Sequence, residues 1–327
     1  MKILLLHDLI PDGASEDAKD VLVQAEAISK ALSDLGHRIT TLFFTLDIRD
    51  IIDAVRGAAP DIVFNLVESA AGDGSLIFAA PALLDHIKIP YTGSKTDVLF
   101  LTSNKLLSKK ILRASGLPTP DWFTMENGSE KSVQCHSPYI IKSVWEHASI
   151  GLGNHSVVIP RDGTHINDEI RSRKKAMGRD FFAELYIEGR EFNISLLEND
   201  RGVDCLPPAE IRFIDFPKGK WKILDYSSKW EKGAFEYQHT VRSFDLQDKD
   251  NDLVCRLKEI AKECWEIFHL RGYARVDFRV DQDERPWILE INANPCLAPD
   301  SGFAASAAQA GLHSNEVVKR ILDASLS

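Results

Sequence analysis

Residues 275–278 read Arg-Val-Asp-Phe, and residues 289–295 read Leu-Glu-Ile-Asn-Ala-Asn-Pro. Both stretches show the apolar and polar alternation of a β-strand, in which every second side chain lies on the same face. Arg275 and Asp277 therefore point together, and so do the Glu and the first Asn of the second stretch. If the strands are neighbours, two carboxylates, an amide and a guanidinium converge beside an apolar core.

This set of polar groups suits a divalent cation. Asp277, Glu290 and Asn292 offer hard oxygen atoms, and Mg²⁺ prefers a few protein carboxylates supplemented by phosphate oxygens and water. The alternative is a ladder of salt bridges on the surface. Apolar neighbours argue against it, because unpaired charge next to a core is costly. The pattern predicts a Mg²⁺ site, with Mn²⁺ as a second candidate ion.

Length and composition bound the class of protein. The 327 residues suit two or three domains, and 44% hydrophobic with 27% charged residues is typical of a globular chain. A formal charge of −10 argues against a nucleic-acid partner. Apolar runs are too short for a membrane span or a signal peptide. Five scattered cysteines indicate neither a disulfide framework nor a zinc site, and they favour the cytoplasm.

The first ninety or so residues alternate strand and helix patterns, which predicts a parallel α/β sheet covered on both faces. The predicted strands are 3–7, 38–44 and 61–66, and the predicted helices are 19–35, 48–56 and 75–84, the last weakened or bent by Pro81. No Gly-x-Gly-x-x-Gly follows the first strand, so a dinucleotide site is not expected.

The pattern changes from about residue 95, where longer strands and isolated helices follow. The predicted strands are 139–142, 155–159, 181–187, 192–197, 273–280 and 287–291. The predicted helices are 104–114, 163–175, 253–270 and 315–322.

The two stretches quoted first resemble the carboxy-terminal signature of the ATP-grasp superfamily, in particular the D-alanine–D-alanine ligases. Further motifs extend the resemblance, in the same order, over nearly the whole chain. They are residues 72–76, 89–94, 116–120, 139–142 and 184–191. The resemblance implies an α/β ATP-grasp fold, with a Rossmann-like parallel domain at 1–95 and two α+β lobes, 96–183 and 184–327, that sandwich ATP.

The resemblance also implies which residues bind ATP. Lys105 and Lys142 match lysines that contact the phosphates. Residues 146–153 match a glycine-containing loop that closes over the triphosphate, with Ser149 as the best hydroxyl donor.

At the base and ribose, the hinge residues Glu184, Leu185 and Ile187 match the main chain that reads the adenine edge. Glu191 matches the carboxylate that binds the ribose hydroxyls. The alternative for Glu191 is a structural ion pair with Arg190.

Catalytic roles follow from the same resemblance. Lys229, in a mobile substrate loop, is expected to contact the γ-phosphate, and Ser301 to bind the carboxylate of the second, amine-donating substrate. Arg275 and backbone N–H groups around Cys296 are expected to stabilise the oxyanion of the tetrahedral intermediate. Catalysis by the Cys296 thiol is not expected, because the sequence shows no base partner.

The site for the first substrate departs from the family pattern. The family's Ser is Ala148, its Tyr is Trp230, and its Glu is ambiguous within residues 13–17, with Glu16 the best match. Residues 65–69 lack the family's His-Gly, and Cys296 replaces a Gly. We therefore predict that the first substrate is not D-alanine.

Together these features predict an ATP-dependent carboxylate–amine ligase, similar to the D-alanine–D-alanine ligases, that forms an amide (dipeptide-like) bond through an acylphosphate. The substrates would be small amino acids or related carboxylates and amines, and the resemblance implies a homodimer. Two alternatives remain: a ligase for substrates other than D-alanine in a biosynthetic pathway, and a non-catalytic nucleotide-binding protein. The complete set of Arg275, Asp277, Glu290, Asn292 and Lys142 counts against the second.

Overall fold

The residues that the structure describes fold around three β-sheets. A computed structural model describes residues 1–11, 13–125, 133–145, 149 and 151–326. Ala148 and three other residues of the loop 146–153 (146, 147 and 150) lie outside the described residues. For Glu16 and Asp17 the backbone is described but the side chain is not, so the predicted role of Glu16 stays a prediction.

The first sheet is parallel, as predicted, with strand order β2-β1-β3. Its elements are β1 (Lys2–Asp8), α1 (Glu16–Asp34), β2 (Arg38–Phe44), α2 (Ile48–Ala58), β3 (Ile62–Asn65) and α3 (Ala79–Ile87). Alternate residues of β1 face opposite layers, since Ile3 and Leu5 pack with α1 while Leu4 and Leu6 pack with α2 and α3. Both faces are therefore covered, and the carboxyl ends of the strands remain available to line a cleft.

The helix predicted over residues 75–84 is two elements. A 3-10 turn spans Gly74–Leu76, and α3 begins at Ala79, so that Pro81 lies in its first turn. The first N–H groups of a helix have no partner within the helix, so proline is tolerated there. The predicted continuous helix was wrong because a new helix starts immediately before the proline.

The second sheet is antiparallel, with strand order β4-β7-β5-β6. Its elements are α4 (Thr96–Ser103), α5 (Lys105–Ala114), β4 (Trp122–Phe123), β5 (Tyr139–Ser143), β6 (Val157–Val158), α6 (Gly163–Met177) and β7 (Phe181–Leu185). The predicted strand 155–159 is confirmed only at residues 157–158, which form β6, because a 3-10 turn spans Asn154–Ser156 before it. Strand β7 crosses the predicted boundary at 183/184, and the division into three domains stays a prediction.

The third sheet has strand order β11-β10-β8-β12-β13, with β9 beside β8. Its strands are β8 (Arg190–Asn199), β9 (Gly202–Cys205), β10 (Ala209–Phe213), β11 (Thr240–Ser243), β12 (Tyr273–Val280) and β13 (Pro286–Asn292). The accompanying helices are α7 (Tyr226–Trp230), α8 (Phe235–His239), α9 (Asn251–Phe268), α10 (Gly302–Gln309) and α11 (Ser314–Leu326).

Period-two alternation decides which face of the third sheet is polar. Phe192, Ile194, Val276 and Phe278 pack against α9 in one apolar cluster. The residues between them point the other way, and they form the polar face on which the site lies. None of the helices in the described ranges has the length and apolar character of a membrane span.

Candidate active site

Four polar side chains lie side by side on β12 and β13. Asp277 is directly opposite Glu290, and Arg275 is opposite Asn292. A register shift follows Asp277, so Phe278 pairs with Ile288 and the extra residue is accommodated beyond the polar pairs. The side chains of directly opposed residues are close neighbours. The predicted adjacency of the two strands is confirmed.

Asp277 is held by a fork of hydrogen bonds. Arg275 donates from Nε to Oδ1 at 2.7 Å and from Nη2 to Oδ2 at 2.8 Å, and Asn193 donates to Oδ1 at 2.8 Å. Burial disfavours the charge of Arg275, but the Asp277 carboxylate outweighs burial and raises the pKa of the guanidinium. Oδ1 accepts two of these hydrogen bonds and Oδ2 accepts one, so Oδ2 keeps a lone pair with which Asp277 can bind another group.

The donor set fits Mg²⁺. Glu290 lies 3.8 Å from Lys105 Nζ and beside Asp277, with the Asn292 amide one step along the strand. Within the described ranges, no three or more His, Cys, Asp or Glu residues cluster as a metal site. Two carboxylates and an amide suit a cation that takes its remaining ligands from phosphate and water.

A buried network of ion pairs is centred on Glu184, which lies on β7 of the second sheet. Glu184 is 1% exposed and binds Lys142 on one side and Lys109 Nζ, at 2.5 Å, on the other. Burial on its own would raise the pKa of Glu184, but the charges of the two lysines lower the pKa by more than burial raises it. The carboxyl therefore stays ionised. Burial lowers the pKa of Lys109 to about 8. We did not predict Lys109, although it lies one helical turn after Lys105 and so on the same face of α5.

Hydrogen bonds connect the glycine-containing loop (146–153) to the chain that enters the substrate loop with Lys229. Ser149 Oγ donates to the Leu224 carbonyl at 2.7 Å, and Tyr226 N donates to the Leu152 carbonyl at 3.2 Å. Ser149, predicted as a phosphate donor, thus uses its hydroxyl on the neighbouring loop in this arrangement. Burial, followed by the charge of Arg275, lowers the pKa of Lys229.

Glu191 is ion-paired, but not with the predicted alternative partner. Arg190 binds Glu210 and Asp250, whereas Arg279 Nη2 lies 2.9 Å from Glu191. The alternative prediction, a structural ion pair between Glu191 and Arg190, is therefore wrong. Glu191 stays on the polar face of the sheet, where a ribose could be bound.

Main-chain hydrogen bonds to two neighbouring segments hold the hinge after β7 in place. Leu185 N donates to the Asp121 carbonyl at 2.8 Å, and Tyr186 N donates to the Pro138 carbonyl at 2.9 Å. These two N–H groups are therefore engaged within the protein, so an adenine edge would have to be read by other main-chain groups of the hinge.

One cavity between the second and third sheets collects most of the predicted site residues. They are Lys105, Lys142, Ser149, Glu184, Leu185, Ile187, Glu191, Lys229, Arg275, Asp277, Glu290 and Asn292. Ser301 does not line this cavity. It caps α10, with its Oγ accepting from Ala304 N at 3.1 Å.

A carboxylate cluster that we did not predict joins the first sheet to the loop after β13. Asp8 accepts from Glu68 N at 2.8 Å, and Gln24 donates to Glu68 at 3.2 Å. Cys296 Sγ donates to Asp20 at 3.1 Å. Burial, reinforced by Asp8, raises the pKa of Glu68 to about 8, so this carboxyl is largely protonated at neutral pH.

Two of the backbone N–H groups that were expected to stabilise the oxyanion are already hydrogen-bonded within this cluster. Leu297 N donates to Gln24 Oε1 at 2.5 Å, and Ala298 N donates to Cys296 Sγ at 3.3 Å. The expectation that backbone N–H groups around Cys296 are available is thus wrong for these two. Burial, followed by the charges of Glu68 and Asp20, raises the pKa of Cys296, so the thiol is not activated as a nucleophile.

A parallel α/β sheet beside two sheets that enclose a cavity of lysines, carboxylates and an arginine defines the ATP-grasp class. The fold agrees with a solved structure of the D-alanine–D-alanine ligase from Bacillus anthracis complexed with ATP. The TM-score is 0.74 at 22% sequence identity, and the match covers 100% of this chain and 97% of that one.

Sequence comparison identifies the family. Residues 111–323 match the family described as D-ala D-ala ligase C-terminus, and the chain belongs to this family. It is 30% identical to the D-alanine–D-alanine ligase of Desulfovibrio desulfuricans, over 100% of this chain and 98% of that protein. It is 28% identical to the D-alanine–D-alanine ligase of a Synechococcus strain, over 97% of this chain and 93% of that protein. These findings support an ATP-dependent ligase of this type, and nothing in them favours either alternative left open by the sequence.

Proposed function

We propose that this protein uses ATP to join the carboxylate of one small molecule to the amine of another, forming an amide. The observation that carries the proposal is the single cavity that gathers three lysines, the Asp277–Glu290 carboxylate pair and Arg275. A polyphosphate needs cationic contacts and a metal site, and a reacting carboxylate needs a positioned arginine.

In the proposed first step, a carboxylate oxygen of the first substrate attacks the γ-phosphorus of ATP. The new bond is P–O to the carboxylate, and the bond to the β-phosphate oxygen breaks to release ADP. Lys142, Lys105 and Lys229 would hold the phosphates as charge moves onto the leaving group. Asp277, Glu290 and Asn292 would hold Mg²⁺, which supplies charge neutralisation when bound.

In the proposed second step, the amine attacks the acylphosphate carbonyl and inorganic phosphate leaves. The carbonyl oxygen becomes an oxyanion, for which Arg275 is the positioned cation. The attacking amine must lose a proton, and the phosphate that leaves is a sufficient acceptor. The positions of Glu16 and Ser301 relative to the substrates stay predictions, as do the cytoplasmic location and the homodimer.

The first substrate is where this chain departs from its relatives, whose names give D-alanine as substrate. The Asp8, Glu68 and Asp20 carboxyls lie near the loop after β13, and Trp230 stands where the family has a phenol. A site that reads polar groups by hydrogen bonds discriminates strongly, because a wrong substrate leaves buried groups unpaired. We therefore keep the prediction that D-alanine is not the preferred first substrate.

The test is a panel of amino-acid pairs with purified protein, ATP and Mg²⁺, followed by ADP, phosphate and product mass. We expect ATP-dependent amide formation, with a higher kcat/KM for another pair than for D-alanine with itself. If D-alanine self-ligation is the best reaction, at about 10⁴ M⁻¹s⁻¹ or more, the substrate prediction is wrong while the ligase proposal stands. If no pair gives ADP, the ligase proposal fails.

A further inference from the structure

A second cleft opens at the carboxyl ends of β1 and β2 in the first sheet. Its volume is about 640 Å³, within the range of roughly 300 to 1,000 Å³ that is usual for small-molecule sites. The described residues that line it belong to the loop after β1, the first turns of α1, the end of β2 and residues 68–74, and none of them lines the cavity between the second and third sheets. Ligands of open parallel sheets bind outside the carboxyl ends of the strands. The roles proposed for the ATP site leave this cleft unassigned.

The inner end of the cleft leads towards the proposed reaction centre. Glu68 lines the cleft, and burial raises the pKa of its carboxyl whereas the charge of Arg275 lowers it, so the two groups lie within electrostatic range. Asn294 Nδ2 donates to the Val67 carbonyl at 3.0 Å, and Asn294 N donates to Asn292 Oδ1 at 2.9 Å. Two hydrogen bonds thus connect the neighbour of Glu68 to a proposed Mg²⁺ ligand. A substrate with its carboxylate at Arg275 can therefore extend past Glu68 into the cleft.

The walls of the cleft are mostly apolar. The larger apolar residues that line it are Leu9, Ile10, Pro11, Val21, Phe44 and Leu46. Leu9 is 51% exposed and Leu46 is 49% exposed, although both are large apolar side chains beside a cleft. An apolar group that covers them stabilises a complex in proportion to the apolar area removed from water. The walls therefore favour a ligand with an apolar group.

The inner end of the cleft is acidic. Buried Asp8 accepts from Glu68 N at 2.8 Å and from Ser69 Oγ at 2.7 Å, which fixes its carboxyl at the end of β1. Two neighbouring carboxyls suit an ammonium group and disfavour a further carboxylate. Arg179 is the single cation among the described residues that line the cleft, and its Nη2 donates to the Gly72 carbonyl at 3.0 Å. An acidic side chain near Arg179 is therefore the alternative to an apolar one.

We propose that this cleft receives the side chain of the first, carboxylate-donating substrate, and that this substrate is an amino acid with a bulky apolar side chain. The inference rests on the proposed ligase function, because it names the class of one of that reaction's two substrates. The ammonium group lies at the acidic inner end, the reacting carboxylate faces Arg275, and the side chain lies between Leu9 and Leu46. A methyl group would leave most of the cleft unfilled, so alanine would forgo these contacts.

The test changes the cleft at two places. Ala18→Phe fills the cleft from α1, and Leu46→Ser removes an apolar side chain from a half-exposed position of its wall, where folding depends little on it. The matched control is Leu22→Ser, because Leu22 on α1 is 45% exposed and is not among the described residues that line the cleft.

Each protein receives ATP, Mg²⁺ and equal mixtures of alanine with leucine, phenylalanine or glutamate, in both the L and the D form. The amino-terminal residue of each product, read from its fragment masses, identifies the carboxylate donor. The amino acid that serves as amine donor is therefore not confused with the first substrate.

We expect the wild type to use leucine or phenylalanine as the carboxylate donor with a kcat/KM roughly 10- to 100-fold above that of alanine. Ala18→Phe should lower this preference about tenfold or more, because the added ring occupies the cleft, while the KM for ATP stays within about twofold. Leu46→Ser should lower the preference by a smaller factor, roughly three- to tenfold, and Leu22→Ser should match the wild type. A wild type that prefers alanine or glutamate overturns the proposal, and so do an unchanged preference in both cleft variants and an equal loss for every donor.

A calorimetric titration separates this inference from the reaction itself. Leucine, phenylalanine and alanine are titrated into the wild type and the three variants in the presence of Mg²⁺ and ADP, so that no turnover is needed. Tighter binding of leucine than of alanine that persists in Leu22→Ser and weakens in Ala18→Phe and Leu46→Ser supports the cleft even if no pair is ligated and the proposed function fails. Equal binding of leucine and alanine by the wild type overturns the cleft assignment even if ligation is observed.

Discussion

Glu290→Gln should leave the protein folded and reduce turnover by roughly two to three orders of magnitude or more. The substitution keeps the shape of the side chain and removes one of two adjacent carboxylates on β12 and β13. An amide is a poorer ligand for Mg²⁺ than a carboxylate, and the phosphates would lose the neutralising charge. The measurement is ADP release at saturating ATP over a series of Mg²⁺ concentrations, beside a thermal unfolding curve.

The control for this variant is Glu263→Gln. Glu263 is exposed on α9, which packs on the apolar face of the same sheet, so the substitution removes one charge from the same part of the fold. We expect the control to match the wild type in both turnover and stability. Wild-type turnover in Glu290→Gln at ordinary Mg²⁺ would remove the metal role of this residue.

A purely structural role for Glu290 predicts a different result. Lys105 Nζ lies 3.8 Å from Glu290, and loss of this ion pair alone would lower the melting temperature without changing the dependence on Mg²⁺. A changed dependence of turnover on Mg²⁺ therefore indicates the metal role of Glu290, whereas a shift of the thermal unfolding curve alone indicates a structural role.

Local patterns were sufficient to predict the parts of the fold that repeat with a fixed period. The β12 and β13 alternation places polar groups on one face, and two such strands in succession make an antiparallel pair a natural outcome. The alternation of strands with helices gave the parallel arrangement of the first sheet. Where proline changed the period, as at Pro81, the prediction of a single helix failed.

The missed parts of the site depend on contacts between distant segments. The Gln24 bridge to Leu297 spans 273 residues, and the Cys296 bond to Asp20 spans 276. No spacing rule within one segment indicates such pairs.

The geometry also changed what individual residues can do. The Ser149 hydroxyl is taken by the Leu224 carbonyl, and the Leu297 N–H is taken by Gln24. The family resemblance gave both a substrate-binding role, yet hydrogen bonds within the protein already satisfy them. Lys142 and Lys109 bind the same carboxylate, Glu184, yet only Lys142 lines the cavity.

Lys142→Met should reduce ATP turnover by roughly two to three orders of magnitude while changing stability little. Lys142 lines the cavity, so its loss removes a phosphate contact, but Glu184 keeps Lys109 at 2.5 Å as its ion-pair partner. The measurements are kcat and KM for ATP, beside the free energy of unfolding from urea titration. Unchanged ATP kinetics in Lys142→Met would exclude the phosphate role.

Lys109→Met is the matched variant, with the opposite expectation. Lys109 is 1% exposed, does not line the cavity, and binds Thr119 Oγ1 at 2.6 Å as well as Glu184. Unlike Lys142, Lys109 is itself fully buried, and its removal takes away the hydrogen bonds to Thr119 and the Pro120 carbonyl together with the ion pair, so the free energy of unfolding should fall by about 3–5 kcal/mol. ATP turnover by the protein that remains folded should stay close to wild type. If Lys109→Met instead loses turnover at full stability, the buried lysine acts on the nucleotide and the division of roles around Glu184 is wrong.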